Sequence, residues 1–101
     1  MLKFVLIEKE NNVAELRFAN VELHSDMVLK GEKCLGGGFF KIKEDTKQLI
    51  MWDKSHDFGY PKFGGKKIVT EEFVFEDYTF YYVPDLFMPL DADSKVDVKI
   101  L

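Results

Sequence analysis

Two short runs of alternating apolar and polar residues fix most of what this chain can become. Phe40 and Ile42 alternate with Lys41 and Lys43, Glu44-Asp45-Thr46-Lys47 turns the chain, and residues 48–53, QLIMWD, bring it back. Side chains repeat their direction every second residue in a strand but only every turn in a helix, so this pattern predicts a β-hairpin. A similar pair opens the chain. Residues 2–9 (LKFVLIEK) suit a strand, Glu10-Asn11-Asn12 supplies turn chemistry, and residues 13–18 (VAELRF) alternate again. Ala14, Leu16 and Phe18 share one face, while Glu15 and Arg17 take the other, as expected for a sheet with one wet side. Val21 and Leu23 continue the pattern in a shifted register, which predicts a bulge or bend near Ala19-Asn20.

Just ahead of the second hairpin lies Cys34-Leu35-Gly36-Gly37-Gly38-Phe39-Phe40. Glycine within a strand or helix costs about 0.5–1 kcal/mol relative to alanine, so three in succession between large apolar residues need a reason. One reason is a turn. The other is a place where the backbone itself must meet something that a Cβ would block.

Further along, residues 55–65 (SHDFGYPKFGG) are dense in glycine, proline and aspartate and read as a long loop, which in a compact domain is usually functional or mobile. Thr70 followed by Glu71 and Glu72 has the form of a helix N-cap with an acidic first turn, but Phe73, Val74 and Phe75 favour strand, so any helix here is short. Residues 79–83 (TFYYV) read as a strand that Pro84 to Pro89 interrupts. Val96, Val98 and Ile100, alternating with Asp97 and Lys99, suggest a last strand.

At 101 residues the chain is one domain, and with 47% apolar and 15% aromatic residues it has the material for a core. Fourteen basic against eighteen acidic residues give a net charge of −4, with the lysines scattered, which excludes a nucleic-acid footprint; a small phosphorylated group could still bind locally. Cys34 is the single cysteine, so neither an internal disulfide nor a cysteine-cage zinc site is available, and the expected setting is cytoplasmic. Its neighbours, Leu35 and the glycines, make it an inert buried thiol rather than a reactive one. The apolar run Phe4 to Ile7 is too brief for a signal-peptide core, and nothing later approaches a membrane span, so a soluble protein with no membrane partner is expected.

Among motifs, Asp57-Phe58-Gly59 lacks the companion loops of a kinase, and Ser55-His56-Asp57 cannot be a catalytic triad, because neighbours in extended chain point apart. His24, Asp26, His56 and Asp57 would supply metal ligands only if two distant segments met, and no spacing fixes such a geometry; no metal and no cofactor are expected.

Several segments, read in order, resemble the phosphohistidine phosphatase (Janus) family. Lys3-Phe4-Val5-Leu6-Ile7 is similar to its first strand, and His24-Ser25-Asp26-Met27 to its H-A-D-aliphatic stretch. Cys34-Leu35-Gly36-Gly37-Gly38 matches C-L-G-G-G, and Ser55-His56-Asp57-Phe58-Gly59 falls where the family has a serine, two residues, an aromatic and a glycine. Thr70-Glu71-Glu72 and Asp77-Tyr78 resemble its T-E helix start and the D-Y before the closing strand. The resemblance spans residues 2–83 and implies an α+β, β-rich domain: a mixed, mostly antiparallel sheet with one short helix, residues 84–101 being an extension.

It also implies a metal-independent hydrolase site in which His24 is the general base, Lys3 neutralises the phosphoryl oxygens and backbone amides around Ser55, His56 and Asp57 hold them, with Gly36, Gly37 and Gly38 beneath. Phosphoramidate hydrolysis needs those three functions. Three departures count against turnover. Phe39 stands where the family has a basic residue, Asp57 puts a carboxylate beside the phosphate loop, and only eleven residues separate His24 from Gly36, too few for the family's helix. A non-catalytic binding or structural module is therefore ranked ahead of a phosphatase. Its partners would be a phosphorylated protein or small anion, or a second copy through Phe39, Tyr60, Phe63, Tyr81 and Tyr82.

Overall fold

The computed structural model describes residues 1–71, 76–84 and the backbone of 96–98. Seven strands form one mixed sheet: β1 (Leu2–Glu8), β2 (Val13–Asn20), β3 (Cys34–Lys43), β4 (Gln48–Trp52), β5 (Lys67–Thr70), β6 (Thr79–Val83) and β7 (Val96–Val98). Their spatial order is β5-β2-β1-β3-β4-β6-β7, with β5 parallel to β2, β6 parallel to β4 and every other pair antiparallel. Both hairpins stand where alternation placed them, and the last strand joins the edge of the same sheet. The β1–β2 turn uses Asn11 and Asn12 at φ +58° and +60°, a conformation asparagine tolerates better than most residues.

The sheet curls. β2 and β6 are separated by β1, β3 and β4, so in a flat sheet they would lie ~19 Å apart, yet the rings of Phe18 and Phe80 have centroids 6.0 Å apart. Inside the curl Phe4, Leu6, Leu16, Phe18, Phe40, Leu49, Met51, Phe80 and Tyr82 make the main core, closed partly by Phe63 from the long loop.

Corrections to the sequence reading follow from the outer face. The described residues contain no α-helix; the one helical element is a 3₁₀ turn, His24–Met27. Thr70 is the last residue of β5, pairs with Leu16 and donates its hydroxyl to the Leu16 carbonyl, and the short helix expected after it falls on residues 72–75, outside the described ones. Phe73, Val74, Phe75 and Ile100 lie outside the described residues. The second face of the first hairpin is not wet either. Residues 21–33 cross it, with Met27 packed on Val5 and Ile7, and Glu15 is buried. Arg17 fastens that crossing: Nε donates to Glu15 Oε1 (2.6 Å), Nη1 to the Met27 carbonyl (2.9 Å), and Nη1 and Nη2 fork onto Glu32 at 2.5 and 2.6 Å. The bidentate pair raises the Arg17 pKa and holds Glu32 down at about 2, from an ordinary 4.5. Of the bulge or bend expected near Ala19-Asn20, the structure has the bend: the β1–β2 register runs unbroken to Asn20, and the chain bends just beyond, at Glu22.

Candidate functional site

The glycine run answers the question it raised. It is a strand, not a turn, and its lack of Cβ atoms lets four backbone segments crowd one spot. A Cβ on Gly37 would lie 2.4 Å from the Phe4 carbonyl oxygen of β1 and 3.1 Å from His24 Cδ2; one on Gly38 would lie 2.3 Å from the Trp52 oxygen of β4. On Gly36, held at φ +116°, it would lie 2.2 Å from the Tyr60 oxygen of the long loop. Gly36 sits where the β1–β3 register slips by one residue, a bulge of the kind that favours glycine.

Over this floor, on the sheet face crossed by residues 21–33, lies a cavity of about 310 Å³ lined by Lys3, Leu23, His24, Phe39, Asp53, Lys54, His56 and Asp57. Each wall has a local cause. Lys3 leaves β1 on the same face as Val5, and its ammonium donates to the Glu22 carbonyl while standing 6.0 Å from the Phe39 ring centre. His24 enters on the 3₁₀ turn, whose start is capped by Asp26: Oδ2 accepts the Leu23 amide at 3.1 Å. Asp26 is thus occupied by its own backbone, and the described residues contain no group of three metal-ligating side chains, His24, His56 and Asp57 included.

The imidazole of His24 is buried, packed edge-on against Phe39 at 5.7 Å. Its Nε2 lies 2.8 Å from the Gly38 carbonyl. A carbonyl can only accept, so Nε2 carries the proton and Nδ1 the lone pair. Burial pushes the His24 pKa below 6.5, helped by the charge of Lys3 and opposed by the Gly38 bond and Asp57. The ring is neutral at pH 7.

The loop differs in detail from the sequence expectation. Ser55 is buried and closes a tight turn: its amide donates to the Gly59 carbonyl (3.1 Å), its carbonyl accepts from the Gly59 amide (2.9 Å), and its Oγ accepts from the Phe58 amide (3.2 Å). The Gly59 carbonyl also accepts from Gly37, tying the turn to the glycine floor. The Ser55 amide is therefore unavailable to a ligand. The amides of His56 and Asp57, at the exposed tip, have no partner among the described residues.

Two lining residues escaped the sequence reading, Asp53 and Lys54. Asp53 adopts φ +64°, its amide donating to the Val83 carbonyl and its carbonyl accepting from the Tyr82 hydroxyl. An aspartate directly after a strand is a candidate for left-handed backbone, and that was the available signal. Two other expectations change. Tyr82 belongs to the core and Phe63 packs on it at 5.5 Å, so of the aromatics considered for self-association Tyr60 is the exposed one. Cys34 is half-buried, its thiol donating to the Gly36 carbonyl, and burial raises its pKa. No helix among the described residues is long and apolar enough to cross a membrane. No family model, curated protein or solved structure matches the chain.

Proposed function

We propose that this chain is a non-catalytic binding module, built on the plan of a shortened phosphohistidine phosphatase, that holds a small oxyanion group in the cavity beside His24. What supports the reading is the convergence of groups from separate parts of the chain. Lys3, the neutral His24 ring, and His56 and Asp57 at the tip of the 55–59 turn, whose two amides have no partner among the described residues, line one hollow of about 310 Å³, the size of a small-ligand site. A phosphoryl group attached to a protein or a free small anion would meet one fixed cation and two backbone donors there. A cytoplasmic setting suits a chain whose single thiol is free.

Catalysis is the second reading, and the lone pair on His24 Nδ1 favours it. For a phosphoramidate, water would form the new P–O bond and give its proton to Nδ1, while the P–N electron pair left with the nitrogen, which takes up a proton from solvent as Nδ1 returns its own to solvent. Against it stand Phe39, which brings no charge, and the carboxylates of Asp53 and Asp57, which repel the phosphoryl oxygens. The deciding experiment pairs a phosphate titration, followed by amide NMR, with a phosphate-release assay on phosphohistidine. Saturable shifts at His56 and Asp57 without turnover support the module. Turnover abolished by His24→Ala would establish the phosphatase, and an unmoved spectrum would reject both.

A further inference from the structure

The charges around the cavity suit a more specific ligand than a bare anion. Lys3 and Lys54 bring two positive charges and Asp53 and Asp57 two negative ones, so the lining is formally neutral while His24 is uncharged. The cations are already engaged: Lys3 with the Glu22 carbonyl, Lys54 over the Tyr60 ring at 5.5 Å from its centre. The carboxylates are not. Neither Asp53 nor Asp57 meets a cation or a side-chain or backbone donor through its carboxylate among the described residues. Phe39 adds an aromatic ring to the same lining, edge-on to His24 and 6.0 Å from the Lys3 ammonium, and is backed by Trp52 at 6.2 Å. Carboxylates beside aromatic faces form an environment for an organic cation.

We infer that the cavity takes a zwitterion, a small ligand carrying an oxyanion group and, a short linker away, an ammonium or guanidinium. The oxyanion meets Lys3 and the tip amides; the cation meets Asp53, Asp57 and the Phe39 ring. This rests on the oxyanion-binding reading above and adds the second charge to it.

Two probes of nearly the same shape separate the two ideas: ethyl phosphate, and O-phosphoethanolamine, which adds an ammonium. Binding of each to the full chain is measured by calorimetry and amide NMR at low salt. O-Phosphoethanolamine is expected to bind at least about fivefold more tightly, the ratio that one ion pair near 4 Å in water supplies. In the double variant Asp53→Asn, Asp57→Asn that advantage is expected to vanish while ethyl phosphate binds more tightly than to the parent. Asparagine tolerates left-handed backbone, so position 53 is spared strain. Equal affinities of the parent for the two probes, or a preference that survives the double variant, would overturn the zwitterion and leave the oxyanion site standing. No binding of either probe would overturn both.

Discussion

Replacing Gly37 by alanine tests whether the glycine run exists for space rather than for chain flexibility. The new Cβ would sit 2.4 Å from the Phe4 carbonyl oxygen, and ordinary contact begins at 3.4 Å, so β1 and β3 must separate locally by about 1 Å (3.4 − 2.4). A ladder hydrogen bond near 2.9 Å would then stretch to ~3.9 Å and be lost. Two such bonds at about 1 kcal/mol each, with about 1–3 kcal/mol of overpacking strain, give a destabilisation of ~3 kcal/mol or more. That is a large share of the ~5–15 kcal/mol stability of a small domain. With a urea slope near ~1.5 kcal/mol/M the unfolding midpoint should fall by about 2 M. The control is Gly31→Ala. Gly31 has φ +85° but nothing within 4 Å, so its cost is backbone strain alone, about 1–2 kcal/mol. If Gly37→Ala lowers the midpoint no more than Gly31→Ala does, the steric reading of the glycine floor is wrong. The same substitution presses on His24 Cδ2, 3.1 Å away, so the imidazole proton signals should shift as well.

Three further outcomes follow from other parts of the molecule. Glu32 has its pKa depressed to about 2 in the folded chain from an ordinary 4.5, so its contribution is present above about pH 4.5 and fades as pH falls toward 2; thermal melts of Glu32→Gln and the parent should converge over that interval, and parallel curves would contradict the Arg17 clamp. His24 should titrate below 6.5 by its Cε1 proton, because burial disfavours the charged ring. The unfolded chain then takes up that proton first, so stability declines as pH drops from 7 through 6.5 toward the folded value, and a titration at or above 6.5 would refute the buried neutral ring. Tyr82→Phe removes the hydroxyl that holds the Asp53 carbonyl and should cost about 1 kcal/mol in urea unfolding, with amide shifts reaching Asp53.

Much of the sheet was legible because alternation is a local signal. Residues 40–43 against 48–52 and 2–8 against 13–20 pair as their patterns require, and Val96 to Val98 join β6 as a last strand. What crosses a face is not local. Arg17 alternates like a solvent residue, yet the segment that buries Glu15 is recruited by Glu32, fifteen positions on, through the fork onto Arg17. Thr70, read as a cap, also closes a parallel strand against β2, a pairing that no local pattern announces. The candidate site divides the same way. Lys3, His24, His56 and Asp57 line one cavity, and Gly36, Gly37 and Gly38 lie below. The Ser55 amide was misassigned because its partner, the Gly59 carbonyl, is set by the loop's own turn. Asp53 and Lys54 were missed because their position depends on how β4 ends against β6, which no short motif encodes.

The most direct test of the shared hollow is a titration of the labelled chain with inorganic phosphate at low ionic strength, read at single residues. The His56 and Asp57 amides, the His24 ring and the Lys3 ammonium should move together and saturate at one dissociation constant. That response should be lost in Lys3→Met while the fold persists. Signals that stay still, or that move at unrelated concentrations, would mean that these groups are neighbours in space without forming a binding site.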